Sequence, residues 1–271
     1  MLSDGSFTYS YDSFNRLAIA EVEGACQVNR YDAEGLRHEL EENGELVKFI
    51  FSGKEAVVEQ NEDGNRIRYI RGLDLICSDS EKARNYYHYA CDEMGSITHV
   101  VLQKESAEPQ VLNRYEYDAF GNTMLCEEQV ENRFRYTGQM YDGVTSQYYL
   151  RARFYNPVIG RFLQEDTYLG DGLNLFSYCK NNPLMYYEPS GNAGRVCPDK
   201  YAQWKKYKEQ GLSPEEALRR TNASFQKDKG NKQKSISEIV VETTDGQRVP
   251  ISIWDIEIVG FKKEWWEFWK K

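Results

Sequence analysis

The strongest constraint on the fold is a short motif that recurs through the first half of the 271-residue chain. Each copy is a Tyr-Asp pair followed by a polar turn that contains Gly or Asn. On either side of the copy, residues alternate with the two-residue period of a β-strand. The copies begin at Tyr11, Tyr31, Tyr89 and Tyr115, whose Tyr-Asp pair is Tyr117-Asp118; the third is degraded, because two residues separate Tyr89 from Asp92. An Asp can accept hydrogen bonds from its own turn backbone, and Gly or Asn tolerates a positive φ. We therefore predict β-hairpins, which must stack into one sheet because a single hairpin cannot bury its apolar face.

The second feature is a dense aromatic stretch over residues 134–191, which contains the run FRYTGQMYDGVTSQYYLRARFYNPVIGRF. Tyrosine fits a half-buried pleated surface, so the composition favours β-structure here as well. We predict a β module that closes the repeat sheet, with Tyr148, Tyr149, Phe154 and Tyr155 packed inside it.

Together these patterns resemble a known family. The Tyr-Asp copies resemble the YD repeats of Rhs proteins, teneurins and the C components of insecticidal toxin complexes. The aromatic stretch resembles the Rhs core-associated module, whose pattern is F-x-G-x-x-x-D-x-x-T-G-L-Y-Y-x-x-A-R-Y-Y-D-P-x-x-G-R-F. The continuation GLNLFSYCKNNP matches that module too, and the resemblance covers residues 1–192.

The resemblance implies a mainly antiparallel β fold in three parts. Residues 1–130 are expected to form a partial shell of YD-repeat hairpins, residues 131–192 the core-associated module, and residues 193–271 a small, variable α+β domain. In the family a long spiral of hairpins encloses a hollow space, and the variable domain is often a toxin. Four recognisable repeats are too few to close such a shell, so an upstream Rhs shell is the expected partner.

The resemblance also implies a candidate site for aspartyl-type self-cleavage. In many family members two D-P-x-G boxes, eighteen residues apart, end the module, and their aspartates release the toxin. The same spacing separates residues 166–169 from residues 188–191. Of two close carboxylates, one can act as a base on water while the other, protonated, polarises the scissile carbonyl. The candidate catalytic residues are Asp166, Asp171 and Glu188, with Arg161 as an orienting cation and Gly191 and Asn192 as the cleavage region.

Both boxes depart from the family pattern. The first lacks its Pro and Gly, Glu188 replaces the second Asp, and Asn192 replaces the Leu after which family members are cut. A carboxylate that is moved by one methylene can misplace the reacting group. A second interpretation therefore stays open, in which these carboxylates only bond turn backbones and cap strands.

Charge divides the chain at the same place. Residues 1–192 carry 18 Lys and Arg against 31 Asp and Glu, whereas residues 193–271 carry 16 against 12. The net charge of −9 argues against binding of nucleic acid or membrane by the whole protein. The basic C-terminal part can still have a partner of its own.

The C-terminal part predicts two helices followed by a hairpin. The first helix covers KYAQWKKYKEQ and has Gly211 at its C′ position. The second begins at Ser213 and Pro214, with Glu216 as the capping-box partner, and is expected to fade in the stretch KDKGNKQKS. Two alternating strands then flank a turn at residues 245–246.

One candidate activity of this part is that of a small ribonuclease, with RNA as the target. The basic residues that would carry it are Lys227, Lys229, Lys232, Lys234 and Arg248. All three histidines lie before residue 100, which disfavours His-dependent chemistry in residues 193–271. The alternative is that these basic residues only form a solvated loop.

The remaining sequence features argue against several kinds of site and segment. The six cysteines are scattered without a CxxC pair, so we expect thiols, mostly buried, and no zinc site, disulfide framework or cofactor. No apolar run reaches transmembrane length, and the first residues, MLSDGSFTYS, do not resemble a signal peptide.

The sequence therefore predicts the C-terminal part of an Rhs-type polymorphic toxin, secreted or held at the cell surface as part of a larger protein. Its β scaffold would present a variable effector for interbacterial competition, and an immunity protein would bind residues 193–271. The rival prediction is a non-enzymatic structural or interaction protein, with a surface-binding β sheet and a non-toxic tail.

Overall fold

A computed structural model describes residues 2–3, 7–72, 75–83, 85–103, 108–167, 174–192, 194–231, 238–242 and 248–252. The chain divides into two compact units, residues 1–202 and residues 203–271.

Within the described residues, thirteen strands form one sheet in which each strand is antiparallel to the next. They are β1 (Leu2–Ser3), β2 (Thr8–Tyr11), β3 (Leu17–Val22), β4 (Ala25–Tyr31), β5 (Arg37–Glu42), β6 (Glu45–Ser52), β7 (Glu55–Asn61), β8 (Arg66–Arg71), β9 (Leu75–Ser80), β10 (Asn85–Cys91), β11 (Ile97–Leu102), β12 (Gln110–Tyr117) and β13 (Thr123–Glu128). Neighbours in the sheet are also neighbours along the chain. The predicted stack of hairpins is therefore confirmed.

The motif aspartates hold the turns in the predicted way. Asp12 Oδ1 accepts hydrogen bonds of 2.9 Å from the backbone N–H groups two and four residues later. The same two bonds, of 2.8–2.9 Å, recur at Asp32, Asp92 and Asp118. The residue three positions after each aspartate has a positive φ, and it is Asn15 in the first turn and Gly in the others. Each turn is thus closed by its own side chain.

The motif tyrosines tie neighbouring hairpins together. The hydroxyl of Tyr31 donates to the carbonyl of Leu17 at 2.7 Å, and that of Tyr117 donates to the carbonyl of Ile97 at 3.0 Å. Leu17 and Ile97 each begin the strand that follows the preceding motif turn. Each aromatic ring is thereby half-buried while its hydroxyl keeps a partner.

The aromatic stretch forms a second antiparallel sheet of four strands in chain order within the described residues. They are β14 (Met140–Asp142), β15 (Gln147–Leu150), β16 (Arg153–Asn156) and β17 (Arg161–Phe162). Tyr149 and Phe154 join the hydrophobic core of the main sheet, whereas Tyr148 and Tyr155 pack with Tyr178 in a separate cluster. All four module aromatics are at most 2% exposed, as predicted.

A short pair of strands and the C-terminal elements follow the module. They are β18 (Tyr186–Tyr187), β19 (Arg195–Val196), α1 (Pro198–Glu209), α2 (Pro214–Asn231), β20 (Glu238–Glu242) and β21 (Arg248–Ser252). β18 pairs with β19, and β20 pairs with β21 in an antiparallel register that places Val240 opposite Pro250. The predicted order of two helices and a hairpin is confirmed, while the turn predicted at residues 245–246 lies outside the described residues.

The ends of both helices agree with the sequence-based predictions. Gly211 has a φ of 84° and donates to the carbonyl of Lys208 at 2.9 Å, as a C′ glycine does. Ser213 Oγ accepts a bond from the backbone N–H of Glu216 at 3.2 Å, which is the predicted N-cap. α2 ends at Asn231, within the stretch KDKGNKQKS (residues 227–235) where it is expected to fade.

All six cysteines are thiols. Cys77, Cys179 and Cys197 are buried, but Cys91 and Cys126 are exposed. The prediction that the cysteines are mostly buried is therefore wrong, because Cys91 ends β10 and Cys126 lies on β13, the last strand of the sheet. Among the described helices, none has the length and apolarity needed to span a membrane.

Candidate self-cleavage site

The candidate carboxylates meet at a buried arginine that begins β16. Arg153 Nη2 lies 2.7 Å from Asp166 Oδ2 and 2.9 Å from Glu188 Oε1. The three residues are 3%, 8% and 3% exposed, respectively. We call Arg153, Asp166 and Glu188 the Arg153 cluster.

Short structural elements position each member of the cluster. Asp166 follows β17, and its backbone N–H donates to the carbonyl of Leu175 at 3.0 Å. Glu188 follows β18, and its Oε2 accepts a bond of 3.0 Å from the backbone N–H of Cys179. The guanidinium of Arg153 stacks 3.6 Å from the centre of a Phe162 ring. Packing thus fixes the cation, and backbone hydrogen bonds fix the anions or the loops that carry them.

The same arginine also contacts the backbone of the predicted cleavage region. Arg153 Nε donates to the carbonyl of Gly191, and Nη1 donates to the carbonyl of Leu175 at 2.9 Å. Gly191 is buried with a φ of +70°, and a Cβ at this position would collide with the carbonyl of Leu150. The site therefore requires glycine at residue 191, and the carbonyl of the Gly191–Asn192 peptide lies against the cluster.

This arrangement contains the groups that peptide hydrolysis needs. Two carboxylates can serve as base and acid, and a fixed N–H donor can stabilise the negative charge that develops on a carbonyl oxygen. Burial excludes bulk water, which strengthens each of these interactions.

The structure places the other candidate residues differently. Arg161 begins β17 and is exposed, whereas the adjacent Phe162 is buried. Arg153 rather than Arg161 makes the ion pairs with both carboxylates. Asp171 lies outside the described residues. Gly191 and Asn192 lie in the connection between β18 and β19.

The predicted basic patch falls mostly at the limits of the described residues. Lys227 and Lys229 are part of α2, and Arg248 begins β21. Lys232 and Lys234 lie outside the described residues.

Sequence analysis missed Arg153. The residue belongs to the run Leu-Arg-Ala-Arg-Phe-Tyr, in which the neighbouring positions are those of buried strands. A charged side chain in such a run needs a buried partner of opposite sign. That requirement predicts a buried carboxylate partner for an arginine of this run, but it does not specify which arginine or which carboxylate.

A second buried arginine joins the module to the main sheet. Arg37, at the start of β5, binds Asp142, at the end of β14, through two bonds of 2.5 and 2.9 Å. Gln27 donates to the same carboxylate at 2.8 Å, and the ring of Tyr149 lies 4.4 Å from the guanidinium carbon of Arg37. Both charged residues are 0% exposed. We call them the Arg37–Asp142 pair.

In the part of the chain that the structure describes, no group of three or more His, Cys, Asp and Glu side chains is arranged to hold a metal ion.

The chain matches the family model described as Teneurin YD-shell over residues 1–192. It is 32% identical over 222 residues to the tRNA3(Ser)-specific nuclease WapA of Bacillus spizizenii, an alignment that covers 73% of this chain and 9% of the relative. It is also 35% identical over 91 residues to the toxin subunit YenC1 of Yersinia entomophaga, which covers 31% of this chain and 9% of that protein. The chain thus spans only 9% of the length of these two relatives.

Solved structures agree on the fold. A Tc holotoxin pore of Photorhabdus luminescens superposes with a TM-score of 0.57 at 19% identity, over 71% of this chain and 10% of that chain. A crystal structure of TcdB2-TccC3 gives a TM-score of 0.54 at 20% identity, over 69% of this chain and 10% of that chain. The hairpin sheet, the module and the match over residues 1–192 lead to one conclusion: the chain belongs to the YD-shell family of Rhs-type proteins.

Proposed function

We propose that this chain is the C-terminal part of an Rhs-type polymorphic toxin and that the Arg153 cluster cleaves it beside Asn192. The observation that carries the proposal is a single buried guanidinium that contacts two carboxylates and the carbonyl of Gly191. The family resemblance predicts a carboxylate pair at this place, and the geometry supplies the third group, a donor to the peptide carbonyl.

The proposed reaction is hydrolysis of a peptide bond. One carboxylate of the cluster takes a proton from a water molecule, whose oxygen attacks the carbonyl carbon. Arg153 Nε–H stabilises the negative charge on the carbonyl oxygen. The carbon–nitrogen bond then breaks, and the leaving amine takes a proton from the other carboxyl group, so that a new carboxylate and a new amino terminus result.

Two neighbouring peptide bonds are candidates for the cut. The contact with the carbonyl of Gly191 favours the Gly191–Asn192 bond. The resemblance implies the next bond, between Asn192 and Ala193. The mass of the C-terminal fragment distinguishes the two, because the products differ by one asparagine residue.

Cleavage in this connection would not by itself separate the fragments. β19 follows the cleavage region and remains paired with β18, and the backbone N–H of Cys197 donates to the carbonyl of Met185 at 2.9 Å. The position of the cut, and not the division into compact units after Ala202, defines the functional boundary that we propose at residue 192. The products must be analysed under denaturing conditions.

The test is the mass of the denatured chain in the wild type and in the variants Asp166→Asn and Glu188→Gln. The matched control is Glu165→Gln, because Glu165 is exposed beside Asp166. We expect two fragments from the wild type and the control, and one uncut chain from the other two variants. An uncut wild-type chain would refute cleavage.

One observation favours a second candidate function, that of a non-enzymatic scaffold. Both carboxylate oxygens of Glu188 are occupied, one by Arg153 and one by the backbone N–H of Cys179. Such a residue can act as a clamp that only fixes the end of the module. An uncut wild-type chain, together with a large loss of stability in Glu188→Gln, would support this function.

We further propose that residues 193–271 are the toxic effector, that RNA is its target and that an immunity protein binds it. The family match ends at residue 192, residues 193–271 carry more basic than acidic residues, and two of the matched relatives are named as tRNA-specific nucleases. In this proposal the effector is delivered from a secreted or surface-exposed Rhs shell in interbacterial competition.

The effector proposal is tested by growth. We expect that the full chain, expressed inside bacteria, slows growth and degrades RNA, while a chain that ends at Asn192 does neither. Equal growth of both strains, with intact RNA, would contradict it.

A further inference from the structure

The turn between β15 and β16 holds the backbone that precedes the candidate cleavage site. Arg151 Nη1, the backbone N–H of Ala152 and Arg153 Nε donate to the carbonyls of residues 189, 190 and 191, in that order. Three successive carbonyls are therefore bound by three successive residues. The segment 189–191 is fixed along its length and not only at the cluster.

The first of these residues also contacts the main sheet. Arg151 Nη2 lies 2.6 Å from Glu55 Oε1, and Arg151 Nε donates to the carbonyl of Lys54 at 3.0 Å. Lys54 and Glu55 lie where the hairpin of β6 and β7 turns. Glu55 is held in turn by Arg71, at 3.2 Å. One guanidinium thus connects a repeat hairpin to the backbone beside the candidate bond.

Arg151 has an unusual backbone conformation, which indicates that its side-chain contacts hold it in place. Its φ is +60°, which is an unfavourable region for a residue with a Cβ. Such a conformation persists when surrounding contacts fix it, and here the guanidinium is fixed by Gln139, Glu55 and two backbone carbonyls. The planar fork of arginine can reach all of these acceptors, whereas a lysine ammonium cannot.

We propose that Arg151 is a positioning residue that makes self-cleavage depend on the folded β6–β7 hairpin. This inference rests on the proposed function. When the hairpin is in place, Glu55 and the carbonyl of Lys54 orient Arg151, which holds the carbonyl of Pro189 and so aligns the next peptides with the Arg153 cluster. The chain would therefore be cut only after this part of the shell has formed, which prevents premature separation of the effector.

The first test measures the rate of cleavage after synthesis in a cell-free system, by denaturing mass analysis at successive times. The variants are Arg151→Lys and Glu55→Gln. The matched controls are Arg66→Lys and Glu45→Gln, which change exposed residues of the main sheet. A misplacement of about 1 Å can cost about 100-fold in rate. We expect cleavage to be about 10-fold to 100-fold slower in both test variants and unchanged in both controls. Wild-type rates in the test variants would overturn the inference.

The second test does not need cleavage. In the Asp166→Asn background, which we expect to be uncut, hydrogen exchange is measured at the amides of residues 186–192 and, as an internal reference, at those of β11. We expect Arg151→Lys and Glu55→Gln to speed exchange in residues 186–192 only. No change in that segment would overturn the positioning role of Arg151. A wild-type chain that is never cut would refute the proposed function and the dependence on the hairpin, whereas the exchange result would still decide whether Arg151 holds the segment.

Discussion

Arg37 and Arg153 are both buried arginines of the first compact unit, but they hold their carboxylates in different ways. Arg37 binds both oxygens of Asp142 with both of its terminal nitrogens. Arg153 contacts Asp166 and Glu188 through the same nitrogen and gives its other donors to backbone carbonyls. The Arg37–Asp142 pair joins two sheets, whereas the Arg153 cluster lies beside a peptide bond in a connection between strands.

This difference separates structural from chemical use of a buried charge. A bidentate pair satisfies both charged groups and fixes the position of the module on the main sheet. In the Arg153 cluster one cation contacts two carboxylates and a peptide carbonyl. One carboxylate can therefore gain or lose a proton during cleavage while the other keeps the arginine paired. We expect the first site to control stability and the second to control cleavage.

The largest effect is expected for Asp142→Asn. The change leaves the buried guanidinium of Arg37 without its anion, which costs about 3–5 kcal/mol when a buried ion pair is broken. Urea unfolding measures this loss, with Asp63→Asn as the control because Asp63 is exposed. A loss of less than about 1 kcal/mol would contradict a structural role for the pair.

The double variant Asp166→Asn with Glu188→Gln is expected to lose about 3 kcal/mol, more than the sum of its single variants. Either single variant removes one of the two described carboxylate partners of Arg153, whereas the double variant removes both. A double-mutant cycle in urea gives the coupling free energy. Additive losses would mean that Asp166 and Glu188 do not share the arginine.

An intermediate effect on the unfolding free energy is expected from Tyr149, which lies beside the Arg37–Asp142 pair, when the pH is raised. Burial raises the pKa of Tyr149 to about 12, although the charge of Arg37 acts to lower it. Because the folded pKa lies above the usual value near 10, the neutral hydroxyl contributes stability that is complete below pH 10 and is lost as the pH rises through 12. Between about pH 9 and about pH 11, the wild type should lose about 1 kcal/mol more unfolding free energy than Tyr149→Phe. Parallel pH profiles would exclude this contribution.

The smallest effect on stability is expected for Asp166→Asn alone, at no more than about 1 kcal/mol, because Glu188 keeps Arg153 paired and the asparagine oxygen can still accept a hydrogen bond. Thermal unfolding of this variant and of Glu165→Gln measures it. A loss as large as that of Asp142→Asn would mean that both arginine sites are structural.

The sequence predicts the hairpin part of the molecule well, because its interactions are local. Asp12 binds backbone groups only two and four residues away, so motif spacing is enough to place the turn. The arginine sites join distant residues instead. Arg37 and Asp142 are 105 residues apart, and Arg153 and Glu188 are 35 apart. No local pattern specifies which charges meet over such separations, and for that reason the sequence indicates Arg161 as the orienting cation and does not point to Arg153.

The alternation of side chains along a strand could have excluded Arg161 from a buried site. Phe162 is buried, so the adjacent Arg161 must lie on the opposite face of β17 and is exposed. Alternation alone would not have identified Arg153, because both faces of β16 are covered and Arg153, Phe154 and Tyr155 are all buried.

The most direct test of the comparison is denaturing mass analysis of Asp142→Asn beside Asp166→Asn, at a temperature where circular dichroism shows both to be folded. We expect that Asp142→Asn, although much less stable, is cut beside Asn192 like the wild type, while the stable Asp166→Asn chain stays whole. A whole Asp142→Asn chain together with a cut Asp166→Asn chain would contradict it.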